Sequence, residues 1–99
     1  MDDIEYFGEA ALRIASEVAA IVTKKQHDYG PDNILKCPVG PERGIGVRIY
    51  DKLARLDNLI EKGVDPKNES LIDTANDIIG YGIVLKMVLE GSFTNPLND

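Results

Sequence analysis

The chain has no tryptophan, one cysteine, one histidine and few basic residues. Each shortage excludes something. A single cysteine, Cys37, cannot form an intramolecular disulfide framework, which fits a reducing cytoplasm. A single histidine, His27, with no ligand-spaced cysteines, leaves zinc without a ligand set. It also leaves Cys37, between Lys36 and Pro38, with one candidate base, so cysteine nucleophilic catalysis has little support. No apolar run approaches the roughly 18 residues that span a bilayer. The opening Met-Asp-Asp-Ile-Glu is acidic, unlike a secretory signal, so no membrane partner is expected. Eleven Lys and Arg against 17 Asp and Glu give a net charge of −6. Direct DNA binding relies on dense positive charge and is not expected. A small anionic ligand is compatible, because local charge decides that case.

What is present is helical. With 99 residues, 43% of them hydrophobic and 28% charged, the chain has the size and composition of one globular domain with a modest core. Self-association is therefore expected. Strand signals are nearly absent. The spacing of Phe7, Ala11, Ile14, Val18, Ile21 and Val22 predicts a helix from Asp2 to about His27. Glu9, Arg13 and Glu17 alternate in sign on its other face. Gly30-Pro31 breaks it, and residues 28–45, rich in Gly and Pro, read as a long loop of the kind that is often functional. Ile49, Leu53, Leu56 and Ile60 predict a second helix over 46–62, with Gly63 at its end. A third is predicted over 66–90, with Asp65 or Asn68 as its N-cap and Gly91 as its stop. Its second half, Ile83 to Leu89, is apolar nearly all round and calls for partners on several sides, a subunit interface among them.

Three clusters carry candidate chemistry. Glu69, Asp73 and Asp77 recur every fourth residue on one face of the third helix. Mg²⁺ takes hard oxygen ligands and keeps waters that phosphates can replace, so these acids, with Asp51, are metal-ligand candidates. Basic residues of a neighbouring helix could neutralise the same acids, or water alone could solvate them on a plain surface. Lys25, Asp28, Tyr29 and Asn33 join a cation, an acid, an aromatic ring and an amide around a glycine turn. Tyr29 could stack on a base whose edge Asp28 or Asn33 reads; a helix-ending turn with local backbone bonds is the plainer account. Arg48, Lys52 and Arg55 share a helical face with Asp51, where they can grip phosphate or pair with the acids of the third helix.

In order, Lys25-x-x-Asp28-Tyr29-Gly30-Pro31-x-Asn33-Ile34, then Gly46-Val47-x-x-Tyr50-Asp51-Lys52-x-x-Arg55-Leu56-x-Asn58-Leu59, then Glu69-Ser70-x-x-Asp73-Thr74-x-x-Asp77-Ile78-x-x-Tyr81, these clusters resemble the phage and prophage nucleotide modification associated domain family. The resemblance covers roughly residues 10–90. That family is in turn distantly similar to the all-α nucleoside triphosphate pyrophosphatases of the MazG type. Those are helical bundles completed by oligomerisation that bind Mg²⁺ through Glu-x-x-Glu and Glu-x-x-Asp pairs. The present chain departs from them: Asp51 is followed by Arg55, and the acids of the third helix are spaced by four.

The resemblance implies an all-α, three-helix, phage-type subunit in a homo-oligomer in the host cytoplasm, handling a nucleotide. One expectation is Mg²⁺-dependent hydrolysis between the α and β phosphates. Asp73 and Asp77 would be catalytic, and Glu69, Asp73, Asp77 and Asp51 would hold the metal. Lys25, Lys52 and Arg55 would offset phosphate charge and Tyr29 would stack on the base. The alternative is a non-catalytic binder that sequesters a signalling nucleotide, for instance a cyclic one, against antiphage defence, with Arg48, Lys52 and Arg55 on the phosphates. A purely structural helical module is the third reading.

Overall fold

The computed structural model describes residues 3–97. Among them the chain is entirely helical: α1 (Phe7–Tyr29), α2 (Asp32–Leu35), α3 (Pro41–Glu61) and α4 (Glu69–Glu90). The three long helices correspond to the three expected. The fourth, α2, is a single turn inside the segment expected to be loop.

The boundaries shift for local reasons. The expected start of the first helix at Asp2 lies outside the described residues, and Asp3–Tyr6 are not helical. Tyr6 caps α1 with extended backbone and no side-chain hydrogen bond. Glu5, which could have continued the helix, is instead bound by Arg13. At the other end α1 runs two residues past His27, to Tyr29. Gly30 then adopts a φ of 70° and donates its N–H to the Gln26 carbonyl at 2.9 Å. Such a backbone is open chiefly to glycine.

Helix α3 begins at Pro41 rather than Gly46. Proline suits the first helical position, where its missing N–H has no intrahelical partner to lose. Gly44 and Gly46 read as loop residues yet lie inside the helix. At Gly44 the reason is packing: a Cβ there would sit 2.5 Å from Cys37 Sγ, so the Cys37 turn rests directly on the α3 backbone. For α4 the structure chooses Asn68 as N-cap, its Oδ1 accepting the Ser70 N–H at 2.9 Å. Asp65 makes a separate turn by accepting the Lys67 N–H at 2.7 Å, which moves the helix start from residue 66 to Glu69.

The core forms where α3 pairs with α4, with α2 against α3 and α1 against α4. Ile34, Ile45 and Phe93 are buried at its centre, ringed by Ile49, Tyr81, Val84, Leu85, Met87 and Val88. Phe93 comes from the tail. Gly91, with a φ of 87°, ends α4, and the N–H groups of Ser92 and Phe93 both donate to the Met87 carbonyl, turning the chain back. The apolar second half of α4 is thus half-buried within the subunit. Helix α1 contributes one fully buried side chain, Val18, which with Val22 meets α4 at Gly80.

The chain exposes 7514 Å². A folded monomer of 10.9 kDa is expected to expose roughly 5,600 Å². The radius of gyration, 15.5 Å, likewise exceeds the roughly 13 Å of a compact domain this long. Among the described residues, no helix is long and apolar enough to cross a membrane.

Candidate functional site

A cavity of about 410 Å³ opens between the C-terminal half of α1, α2, the start of α3 and the middle of α4. Its floor is apolar: Val18, Val22, Ile34, Gly80, Val84 and Phe93. Its rim is polar and aromatic. Lys25, Gln26 and Tyr29 come from the end of α1, Asn33 from α2, Arg48 from α3, and Asn76, Asp77 and Tyr81 from α4.

Asp77 anchors the charged side. Its Oδ1 accepts from Lys25 Nζ at 3.3 Å and its Oδ2 from Lys52 Nζ at 2.9 Å. Partial burial by itself would raise the Asp77 pKa. The Lys52 hydrogen bond and the charges of both lysines outweigh that and hold the carboxyl below its ordinary value. Lys52 does not reach the cavity wall; it stands behind Asp77. Arg48 Nη2 donates to the Asn33 carbonyl at 3.2 Å, tying α3 to α2 across the rim. Tyr29 stands at the mouth, 69% exposed.

The structure therefore brings together five of the candidates read from the sequence: Lys25, Tyr29, Asn33, Arg48 and Asp77. Asp28, Asp51, Arg55, Glu69 and Asp73 are exposed and lie off the cavity wall. The acid ladder does not converge. Eight residues of helix put about 12 Å of axial rise between Glu69 and Asp77. Ligands to one Mg²⁺ sit roughly 2 Å from the ion. Sharing a face is not sharing a point. Among the described residues, no three His, Cys, Asp or Glu side chains are placed to hold one ion. Both Asp77 oxygens are taken by lysines.

Sequence reasoning gave no site role to Gln26, Asn76, Tyr81 or Phe93. Three of them had a local signal: Gln26 and Asn76 adjoin Lys25 and Asp77, and Tyr81 lies one turn beyond Asp77. Phe93 had none, because only the reversal at Gly91 brings it in. A second cavity, of about 340 Å³, lies beyond Phe93 and shares Val22, Gln26, Val84 and Phe93 with the first. Phe93 is thus part of the wall between the two.

No known family, characterised protein or solved structure matches this chain.

Proposed function

We propose that the cavity between α1 and α4 binds a nucleotide without catalysing its hydrolysis, and that the protein acts by withholding that nucleotide. The observation that carries this reading is the convergence of Lys25, Tyr29, Asn33, Arg48 and Asp77, from four helices, on one cavity. The volume falls within the range of about 300–1,000 Å³ of small-molecule sites, and an apolar floor under a few polar groups is their usual make-up. Each part of a nucleotide has a counterpart. Lys25 and Arg48 suit phosphate, Tyr29 at the mouth suits a stacked base, and the amides of Gln26, Asn33 and Asn76 can both donate to and accept from a base edge.

The charge favours a ligand with few phosphates. On the wall Lys25 and Arg48 stand against Asp77, and Lys52 behind the wall pairs with the same carboxylate. That modest positive charge suits singly charged phosphodiesters, as in a cyclic dinucleotide, better than a metal-free triphosphate. An entering phosphate draws Lys25 from Asp77, while Lys52 stays and keeps the carboxylate neutralised. The hydrolytic reading uses the same cavity. In it Asp77, released by its lysines, and Asp73, exposed one turn earlier, would hold a Mg²⁺ that supplies an activated water. A self-associating, phage-type, antidefence protein fits either reading.

The experiment is a panel of mono-, tri- and cyclic nucleotides, with and without Mg²⁺, followed by calorimetry and product analysis. Capture predicts Mg²⁺-independent binding with the ligand recovered intact, weakened about 10–100-fold in Lys25→Ala or Arg48→Ala, the loss of one charge-assisted hydrogen bond. Pyrophosphate release that disappears in Asp73→Ala would establish the hydrolytic reading instead. No binding by any member of the panel would sink both.

A further inference from the structure

We propose that the N-terminal half of α1, with the segment leading into it, is a docking surface for a second copy of this chain. From Phe7 to Glu17 no residue is buried, and Ala10 alone is half-buried. Those turns are nevertheless apolar. Phe7 is 91% exposed, Leu12 70%, Tyr6 67% and Ile4 72%. A helical stretch this short has little stability of its own in water, and in folded proteins its stability comes from packing an apolar face.

The surface is also held in shape. Arg13 donates from Nε and Nη2 to the two oxygens of Glu5, at 2.9 and 3.2 Å, and from Nη1 to Glu17 at 3.3 Å. The fork pins the extended lead-in to the helix, so Tyr6 and Phe7 stand out in a defined place. Holding exposed apolar groups still lowers the entropy lost when a partner arrives.

The occupant follows from area, pattern and charge. The surface in excess of a monomer of this mass is roughly 1,900 Å². A stable interface takes about 800 Å² from each partner, so the surplus accommodates one such contact and more. The pattern is one stripe: Phe7, Ala11 and Ile14 continue the face whose Val18 and Val22 pack on α4. A stripe that already packs on a helix of this chain is suited to an equivalent helix of another copy. Within the docking half, Glu9 and Arg13 lie one turn apart and differ in sign. Two such halves crossing antiparallel about Ala11 bring Glu9 of each copy toward Arg13 of the other. None of this depends on what fills the cavity.

The test is the mass of the full chain in solution, by sedimentation or light scattering, at micromolar concentration. The unmodified protein is expected at a multiple of its 10.9 kDa chain mass. Phe7→Glu is expected at the chain mass with its circular dichroism still helical, because Phe7 makes so little contact within the subunit. An unmodified chain that stays monomeric overturns the proposal, whether or not some other partner exists. So does a Phe7→Glu protein that assembles unchanged. Should that variant precipitate, hydrogen exchange of the unmodified chain decides. Amides of residues 11–17 are expected to slow as concentration rises through assembly, and exchange that ignores concentration overturns the proposal.

Discussion

The two halves of α1 share one apolar stripe and have opposite surroundings. From Val18 to Tyr29 the stripe lies on α4, and its edge carries Lys25, Gln26 and Tyr29 into the cavity. From Phe7 to Glu17 the same kind of stripe has no buried residue within the subunit. The difference is made on α4, where Gly80 lets Val22 and Val18 come close. Periodicity marks a face as apolar; whether that face is covered depends on what the rest of the chain brings to it.

The comparison is broken most strongly from the packed side. Phe93→Ala removes a core side chain that is 6% exposed and should cost about 3–5 kcal/mol in denaturant unfolding. Phe93 also helps divide two cavities, so if the proposed nucleotide binding holds, the variant should accept bulkier nucleotides than the unmodified protein in the same panel. Unchanged ligand-size selectivity would show that the division has no bearing on the site. Next comes Gly80→Leu. A Cβ at this position already lies 3.3 Å from Val22 Cγ2, and a full side chain must push α1 from α4 at a cost of about 1–3 kcal/mol. Under the proposed function that variant should also lose nucleotide binding, since the cavity depends on how the two helices approach.

A smaller effect concerns pH. The folded Asp77 carboxyl is held below its ordinary value. The folded state therefore favours the charged form, and this contribution is fully present above the unfolded carboxylate range, about pH 4. It is lost as pH falls through the depressed folded value. The partly exposed ion pairs limit it to no more than about 1 kcal/mol. Asp77→Asn should flatten this part of the acid limb in a stability-versus-pH series. The smallest effect sharpens the contrast from the other side. Phe7→Ala should change the stability of the dilute chain by less than about 0.5 kcal/mol, as surface substitutions do. Its cost should appear in thermal unfolding only at concentrations where copies associate.

Much of this arrangement was legible in the residues. The three long helices, the stops at Gly30, Gly63 and Gly91, and five cavity residues are local matters of spacing, capping and motif. The start of α3 was not, because Gly44 and Gly46 look like loop residues until Cys37 is seen against the first of them. The acid ladder shares a face without converging in this arrangement, because a helical face is a line and ligands to one ion gather at a point. Arg55 and Asp28 shared motifs with cavity residues but lie off its wall.

The sequence alone determined that the chain is helical, where its long helices end, and that no dense positive charge is available for nucleic acid. These follow from each residue's own backbone preferences and charge, which need no distant partner. Tertiary structure decided which candidates meet. It set Lys25 and Lys52 on Asp77, brought Phe93 back from beyond Gly91, and left half of α1 uncovered. Those outcomes depend on contacts between segments as far apart in sequence as Lys25 and Asp77 or Val18 and Gly80, and such contacts are set by packing, which no local pattern records.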